Sequence, residues 1–130
     1  MIEFHLDAQS GVATYLQIVQ QVKEALRLGV LDVGDKLPTV REVVASLAIN
    51  PNTVAKAYHE LEREGLVVAQ QGRGTFVTST LATSSSRNHE ELRNRLEAWL
   101  ESARQDGLDD ESIRALISTT LRGAVARRVA

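Results

Sequence analysis

Leu37-Pro38-Thr39-Val40-Arg41-Glu42, then Asn50-Pro51-Asn52-Thr53-Val54-Ala55-Lys56, then Gln71-Gly72-Arg73-Gly74-Thr75-Phe76-Val77: the reading of these stretches decides the fold. The first is a helix start. Thr39 and Glu42 make a T-x-x-E capping box, in which each side chain satisfies a free backbone amide at the helix end. Pro38 blocks extension toward the N-terminus. Val43, Val44 and Leu47 supply the buried stripe, and the helix is predicted to end near Ala48. The second stretch is another start. Asn50 suits the N-cap and Pro51 the first helical position, where no amide hydrogen is needed. Ile49 and Val54 sit at the two positions of a hydrophobic staple. Val54, Ala57, Tyr58 and Leu61 form the inward face, and Gly65 ends the helix. The third stretch is a hairpin. Short β-type runs, Leu66 to Gln70 and Thr75 to Val77, flank Gln71-Gly72-Arg73-Gly74, whose glycines accept positive φ. Helix, short turn, helix, β-ribbon is the order of a winged helix-turn-helix.

Outward from this block, Tyr15, Ile18, Val19, Val22 and Leu26 recur at helical spacing, which predicts a first helix from about Ala13 to Leu28. Val30 to Lys36 reads as a loop, with Gly34 and Asp35 as turn formers. Thr78 to Ser86 is rich in Ser, Thr and Ala and reads as a linker. Two amphipathic helices follow. One carries Leu92, Leu96, Trp99, Leu100 and Ala103 and ends near Gly107. The other is capped by Asp109, with Leu108 and Ile113 as a staple, and carries Ile113, Leu116, Ile117, Leu121, Ala124 and Val125. The predicted class is an α+β winged helix-turn-helix domain over residues 1–78, a linker over 79–87, and a small all-α helical hairpin over 88–130.

Composition narrows the function classes. The chain has 130 residues, 43% of them apolar, and no cysteine, so disulfides, thiolate catalysis and cysteine zinc sites are excluded. Its apolar runs are too short for a membrane span, and Met1-Ile2-Glu3-Phe4-His5 has neither the basic start nor the apolar core of a signal peptide. The expectation is a cytoplasmic protein with no membrane partner. The formal net charge is −2, whereas nucleic-acid binders are usually basic. The charge is unevenly placed, however. No acid occurs from Val43 to His59 or from Gly65 to His89, while acids gather at Glu60, Glu62 and Glu64, at Asp32 and Asp35, and at Glu90 and Glu91.

The outer face of the third helix offers Asn50, Asn52, Thr53 and Lys56. Asn can bond adenine in two places, Thr can bond a base or touch a thymine methyl, and Lys can reach guanine or phosphate. A solvated polar face would look the same in isolation; the capped helix before it and the ribbon after it favour DNA. Arg41 lies in the first turn of its helix, where a cation opposes the dipole at a cost of roughly 0.3–1 kcal/mol. A DNA phosphate or guanine would offset this, as would a salt bridge to Glu42 or another acid. Gly72-Arg73-Gly74 is flanked by strands and followed by no helix, so it fails the test for a nucleotide loop. As a ribbon tip, Arg73 can enter the minor groove or touch phosphate; a plain hairpin with one exposed arginine is the alternative. Histidines 5, 59 and 89 lack metal-ligand spacing. No enzyme signature, metal site or cofactor motif emerges. The rival reading is a winged-helix protein-interaction module that never touches DNA.

The C-terminal helix pair spans about forty residues, and below roughly 70–80 residues a core seldom stabilises itself unaided. Either it folds back on the first domain or it pairs with another chain. A Ser/Thr-rich linker favours the second, with Leu92, Leu96, Trp99, Leu100, Ile113, Leu116, Ile117 and Leu121 as the interface of a homodimer. Two copies on a twofold axis read an inverted repeat.

The runs Lys36 to Glu42, Asn50 to Leu61, Glu64 to Val67 and Gly72 to Val77 occur in order and resemble the DNA-binding domain of the GntR family of bacterial transcription regulators. The likeness covers about residues 11–78, and the short two-helix tail resembles the YtrA-type subfamily. The resemblance implies a dimeric repressor bound to double-stranded operator DNA. Carried over position by position, the family's DNA contacts fall on Arg41, Asn50, Asn52, Thr53, Gln71 and Gly72. Pro51 and Ala55 stand where some relatives have arginine. Lys56 and Arg73 come from helix phase and hairpin position alone. The tail is too small for the effector domain of larger members, which leaves a small-molecule effector unknown.

Overall fold

The computed structural model describes residues 1–82 and 86–129. Helix α1 spans Thr14–Arg27, α2 Val40–Leu47 and α3 Pro51–Arg63; strands β1 (Val67–Gln70) and β2 (Gly74–Val77) follow, then α4 (Ser86–Gln105) and α5 (Asp110–Val129). The chain divides into two compact units, one through Ser86 and one from Arg87 onward.

In the first unit the helix starts form as their sequences dictate. Thr39 Oγ1 accepts from Glu42 N at 3.1 Å, and the Glu42 carboxylate accepts from Thr39 N at 3.3 Å, closing the capping box. Asn50 Oδ1 accepts from Asn52 N at 2.8 Å, with Pro51 at the first helical position. Between these helices, Ala48 adopts φ +54°, the left-handed region. For a residue with a Cβ that costs roughly 1–2 kcal/mol. The turn is short enough to force it.

The core lies between α1 and α3. Ile18, Val22 and Leu26 meet Val54, Ala57 and Leu61, with Val43 from α2 and Val67 and Val77 from the ribbon. Each fully buried aliphatic side chain contributes about 1.5–3 kcal/mol. Tyr58 is also buried, and its hydroxyl donates to the Pro38 carbonyl at 2.6 Å. This bond ties α3 to the residue just ahead of the α2 cap. Burial, aided by the negative charge of Glu42, pushes the Tyr58 hydroxyl above its ordinary pKa.

β1 and β2 pair antiparallel, Val67 opposite Val77 and Gln70 opposite Gly74. Gly74, read from sequence as part of the turn, therefore belongs to the strand. The predicted loop before α2 is also more ordered than its composition suggests. Lys36 bridges to Phe76, Leu37 N donates to Thr75 O at 2.9 Å, and Gly34 N donates to Val77 O at 2.9 Å. A single bridging residue has no periodicity for a sequence reading to detect. From the other side, Glu62 Oε2 of α3 accepts from Ala69 N at 2.7 Å, so the ribbon is held at both edges.

The segment before α1 is strapped down by two glutamines. Gln17, buried, exchanges hydrogen bonds with both backbone groups of Asp7, and Gln21 does the same with His5. Phe4 is buried in the core as a result. Past the ribbon, Thr78 and Ser79 hydroxyls donate to Gly65 O, and Leu81 packs against the core. These residues fall at or within the linker read from sequence; its positions 83–85 lie outside the described residues, and α4 begins at Ser86.

In the second unit, Asp109 Oδ1 accepts from Ser112 N at 2.8 Å and caps α5. Hydrogen bonds from the Ser112 hydroxyl and amide hold the Asp109 carboxyl below its ordinary range. Ala103 and Ile113, beside the turn, are its buried hydrophobic side chains among the described residues.

Tyr58→Phe is expected to leave the buried Pro38 carbonyl unpartnered and to cost about 1–3 kcal/mol at neutral pH. The wild-type phenol is held protonated above the ordinary tyrosine value of about 10. Its contribution is therefore complete below that value and is lost as pH rises through the folded-state value. The stability gap between wild type and variant narrows above about pH 10, which urea titrations at neutral and alkaline pH measure.

Candidate nucleic-acid interface

With Val54, Ala57, Tyr58 and Leu61 turned into the core, the N-terminal turn of α3 presents its opposite side to solvent. Asn50, Asn52 and Lys56 are exposed and Thr53 is half-buried. The Asn50 oxygen is occupied by the cap, so what Asn50 offers outward is its amide NH2. Among the described residues, the Asn52 and Thr53 side chains hold no hydrogen-bond partner, and both keep donor and acceptor capacity.

Arg41 stands in the first turn of α2, exposed. Glu42, the acid beside it, has its carboxylate turned back onto Thr39 N. No carboxylate among the described residues comes within ion-pair distance of Arg41. The described residues thus offer no salt bridge, and the cation in the first turn keeps its unfavourable place against the dipole with no carboxylate among them to offset it.

The ribbon tip carries Gln71, Gly72 and Arg73, all exposed. Arg73 N donates to Gln70 O at 3.0 Å, and Gly72 takes φ +76°, which makes the tip tight. At Gly74, also left-handed at φ +124°, a Cβ would stand 2.6 Å from Lys36 Cε. The Lys36 stem thus crosses the ribbon at its glycine. Lys36, Thr39, Gln70, Gln71 and Arg73 line one open depression beside the tip. Lys36 is a cation of this surface that helix phase could not find, because it lies in neither helix nor turn. Its position is set in space alone: the bridge to Phe76 brings it there.

The acids in the second half of α3 and at its C-cap are accounted for. Glu60 pairs with Arg63, Glu64 pairs with Lys23 at 2.7 Å, and Glu62 accepts from Ala69 N. The Arg63 hydrogen bond holds the Glu60 carboxyl below its ordinary range. The net negative charge of the chain is therefore not carried by the surface that contains Arg41, Lys36, Lys56 and Arg73. Lys56 has a contact that the sequence did not announce: its Nζ lies 4.0 Å from the centroid of the Tyr15 ring on α1. His59 is exposed, beside a shallow hollow between α3 and the ribbon. Among the described residues no group of three His, Asp or Glu side chains could hold a metal ion. No helix among them is long and apolar enough to cross a membrane.

In the second unit, Leu92, Leu96, Trp99, Leu116, Ile117 and Leu121 are exposed, Leu100 is partly buried, and Ile113 is buried. Ile113 is thus spent inside the hairpin, whereas Leu96, Trp99, Leu116, Ile117 and Leu121 line an open apolar groove of about 470 Å³.

Residues 14–77 match the profile of the bacterial regulatory proteins, gntR family. The chain is 47% identical over 79 residues to the HTH-type transcriptional repressor YtrA of Bacillus subtilis, a match that covers 61% of each protein. It is 35% identical over 115 residues to the HTH-type transcriptional regulator YhcF of the same organism, covering 88% of this chain and 95% of that one. Among solved structures it resembles YtrA from Sulfolobus acidocaldarius, a GntR-family transcription factor, at 37% identity and a TM-score of 0.55, over 75% of this chain and 97% of the other. It also resembles the DNA-binding domain of AraR in complex with operator ORX1, at 25% identity and a TM-score of 0.52, over 59% and 96% of the two chains.

Because Asn50 both caps α3 and faces outward, its two roles need separating. Asn50→Ala is expected to lower the unfolding free energy by about 1 kcal/mol, and Asn50→Ser, which keeps the cap, by far less. Thermal or urea unfolding of the two variants reads the difference.

Proposed function

The chain belongs to the gntR family of bacterial regulatory proteins, DNA-binding transcription regulators, and within it we propose a homodimeric repressor that binds an inverted-repeat operator. The observation that carries this is the exposed N-terminal turn of α3, flanked by Arg41, which has no ion-pair partner among the described residues. A helix of this kind fits the major groove, where Asn52 and Thr53 reach base edges and the amide of Asn50 points the same way. Arg41 is read as a guanine or phosphate contact, and Gln71, Gly72 and Arg73 as contacts of the ribbon tip. Lys36 joins them from below the tip. That the similar DNA-binding domain of AraR is solved in complex with an operator supports DNA as the partner of this module.

The dimer rests on the second unit. An apolar groove lined by Trp99 and leucines on so short a helix pair has too little protein of its own to cover it. A second copy brings the same groove and buries both. Repression follows from occupancy, since a dimer seated on a promoter blocks it without any further surface. A cytoplasmic, non-enzymatic protein without a resident cofactor is the consistent setting. No part of the described fold is assigned to a small-molecule effector.

Sequencing the genomic fragments that the purified protein retains tests the function as a whole; enrichment of one inverted repeat is the expected outcome, and uniform recovery overturns it. On that operator, Arg41→Ala is expected to weaken binding by about 1–3 kcal/mol. An unchanged gel-shift titration would remove Arg41 from the interface. Trp99→Asp is expected to give monomers by light scattering; an intact dimer places the interface elsewhere.

A further inference from the structure

The exposed side of α3 has two borders. On one lies the ribbon, joined through Glu62 and Ala69. On the other lies α1, joined through Lys23 and Glu64. Residues four apart on a helix form a slanted row. The row Asn52, Lys56, Glu60, Glu64 starts on the open side and ends against α1. Lys56 is the member at which it reaches that border, and its ammonium rests on the Tyr15 ring, 4.0 Å from the centroid. Tyr15 is itself fixed: it sits in the first turn of α1 and packs, partly buried, against the core.

These contacts restrict what Lys56 can touch. A helix in the major groove is walled on each side by a sugar-phosphate backbone, with the base edges between. An ammonium held over a ring on the border of the reading face stands at a wall. The ring face takes one side of the ammonium through its quadrupole, and N–H donors remain for an oxyanion. Holding the long side chain there before DNA arrives also lowers the ordering cost of the contact.

We propose that Tyr15 is a positioning residue that holds Lys56 at the α1 border of the reading face, so that Lys56 clamps a backbone phosphate and reads no base. The inference rests on the placement of α3 in the major groove proposed above. It divides the cations by role: Lys56 marks one wall of the groove, while Arg73 and Lys36 approach from the ribbon side. Phosphate contacts fix register and carry no sequence information.

The test uses the full-length protein, its operator, and a scrambled duplex of equal length. Lys56→Met is expected to weaken both duplexes by the same factor, about threefold between low and moderate salt. It is expected to flatten the slope of log affinity against log salt by about one, as loss of one phosphate contact does. Tyr15→Leu reproduces both effects, Tyr15→Phe restores wild-type behaviour because the ring is kept, and Tyr15→Leu combined with Lys56→Met is no worse than either alone. A loss confined to the operator makes Lys56 a base reader and overturns the proposal. So does an unchanged slope, a Tyr15→Phe defect equal to that of Tyr15→Leu, or additive losses in the double variant. Should Tyr15→Leu fail to fold, proton NMR of the wild type decides. The Lys56 ε-protons are expected to show an upfield ring-current shift both free and on DNA, and loss of that shift in the complex overturns the positioning role. Wild-type retention of the operator, with a selective loss in Arg41→Ala, separates the two readings: if these hold and Lys56→Met has no effect, this inference alone falls.

Discussion

The hydrogen bond from the buried Tyr58 hydroxyl to the Pro38 carbonyl sets the geometry of the interface. Pro38 precedes the capping box of α2, and Tyr58 lies in the middle of α3. One bond therefore fixes the start of one helix against the body of the next. The residues proposed to meet DNA sit on either side of it: Arg41 just after Pro38, and Asn52, Thr53 and Lys56 just before Tyr58. Neither end of the bond has an alternative. A proline carbonyl buried beside a phenol cannot reach water, and leaving such a group unmade costs more than making the bond returns. The three-residue connection adds a second constraint, since it holds Ala48 in a left-handed conformation that a residue with a Cβ resists. The angle between the helices is thus over-determined by a cap, a buried bond and a strained turn.

The electrostatics follow from where the acids find partners. A chain of net charge −2 would repel a polyanion if that charge were spread evenly. Here Glu42 is turned onto a backbone amide, Glu60 and Glu64 are paired, and Glu62 accepts from the ribbon. Each acid near the reading helix has a structural task that faces it away or neutralises it. Arg41 and Arg73 are left with no carboxylate among the described residues, and their field acts outward. The local distribution decides, and the sum over the chain does not.

Much of this was legible from sequence because the signals are local. The capping box at Thr39 and Glu42, the cap at Asn50 with Pro51 after it, and the glycine at position 65 each describe a backbone end whose hydrogen bonds must go somewhere. The inward face of α3 follows from spacing alone. What escaped was long-range and aperiodic. Lys36 reaches the ribbon through one bridging residue, and Phe4 reaches the core only because Gln17 and Gln21 strap the segment ahead of α1. The Lys56 contact with Tyr15 joins residues forty-one positions apart, from two helices whose crossing no spacing rule supplies. Ile113 was read both as a staple with Leu108 and as part of the interface between copies; it lies beside the turn and is buried within its own chain.

The division into two units has a consequence for how such a protein discriminates. One short helix contacts few base pairs, and each good bidentate contact adds about 1–3 kcal/mol of discrimination. A single module therefore stays close to the nonspecific affinity that phosphate contacts provide on any duplex. Joining two modules makes the second binding event intramolecular, at an effective concentration set by the connection between them. The discrimination of the two half-sites then adds, provided their spacing, about 34 Å or a multiple, matches what the pair can span. On this view the small apolar hairpin contributes specificity without touching a base. Its groove need only hold two copies together at the concentration of a regulator. That modest requirement fits a groove built on two short helices and lined mainly by Leu96, Trp99, Leu116, Ile117 and Leu121.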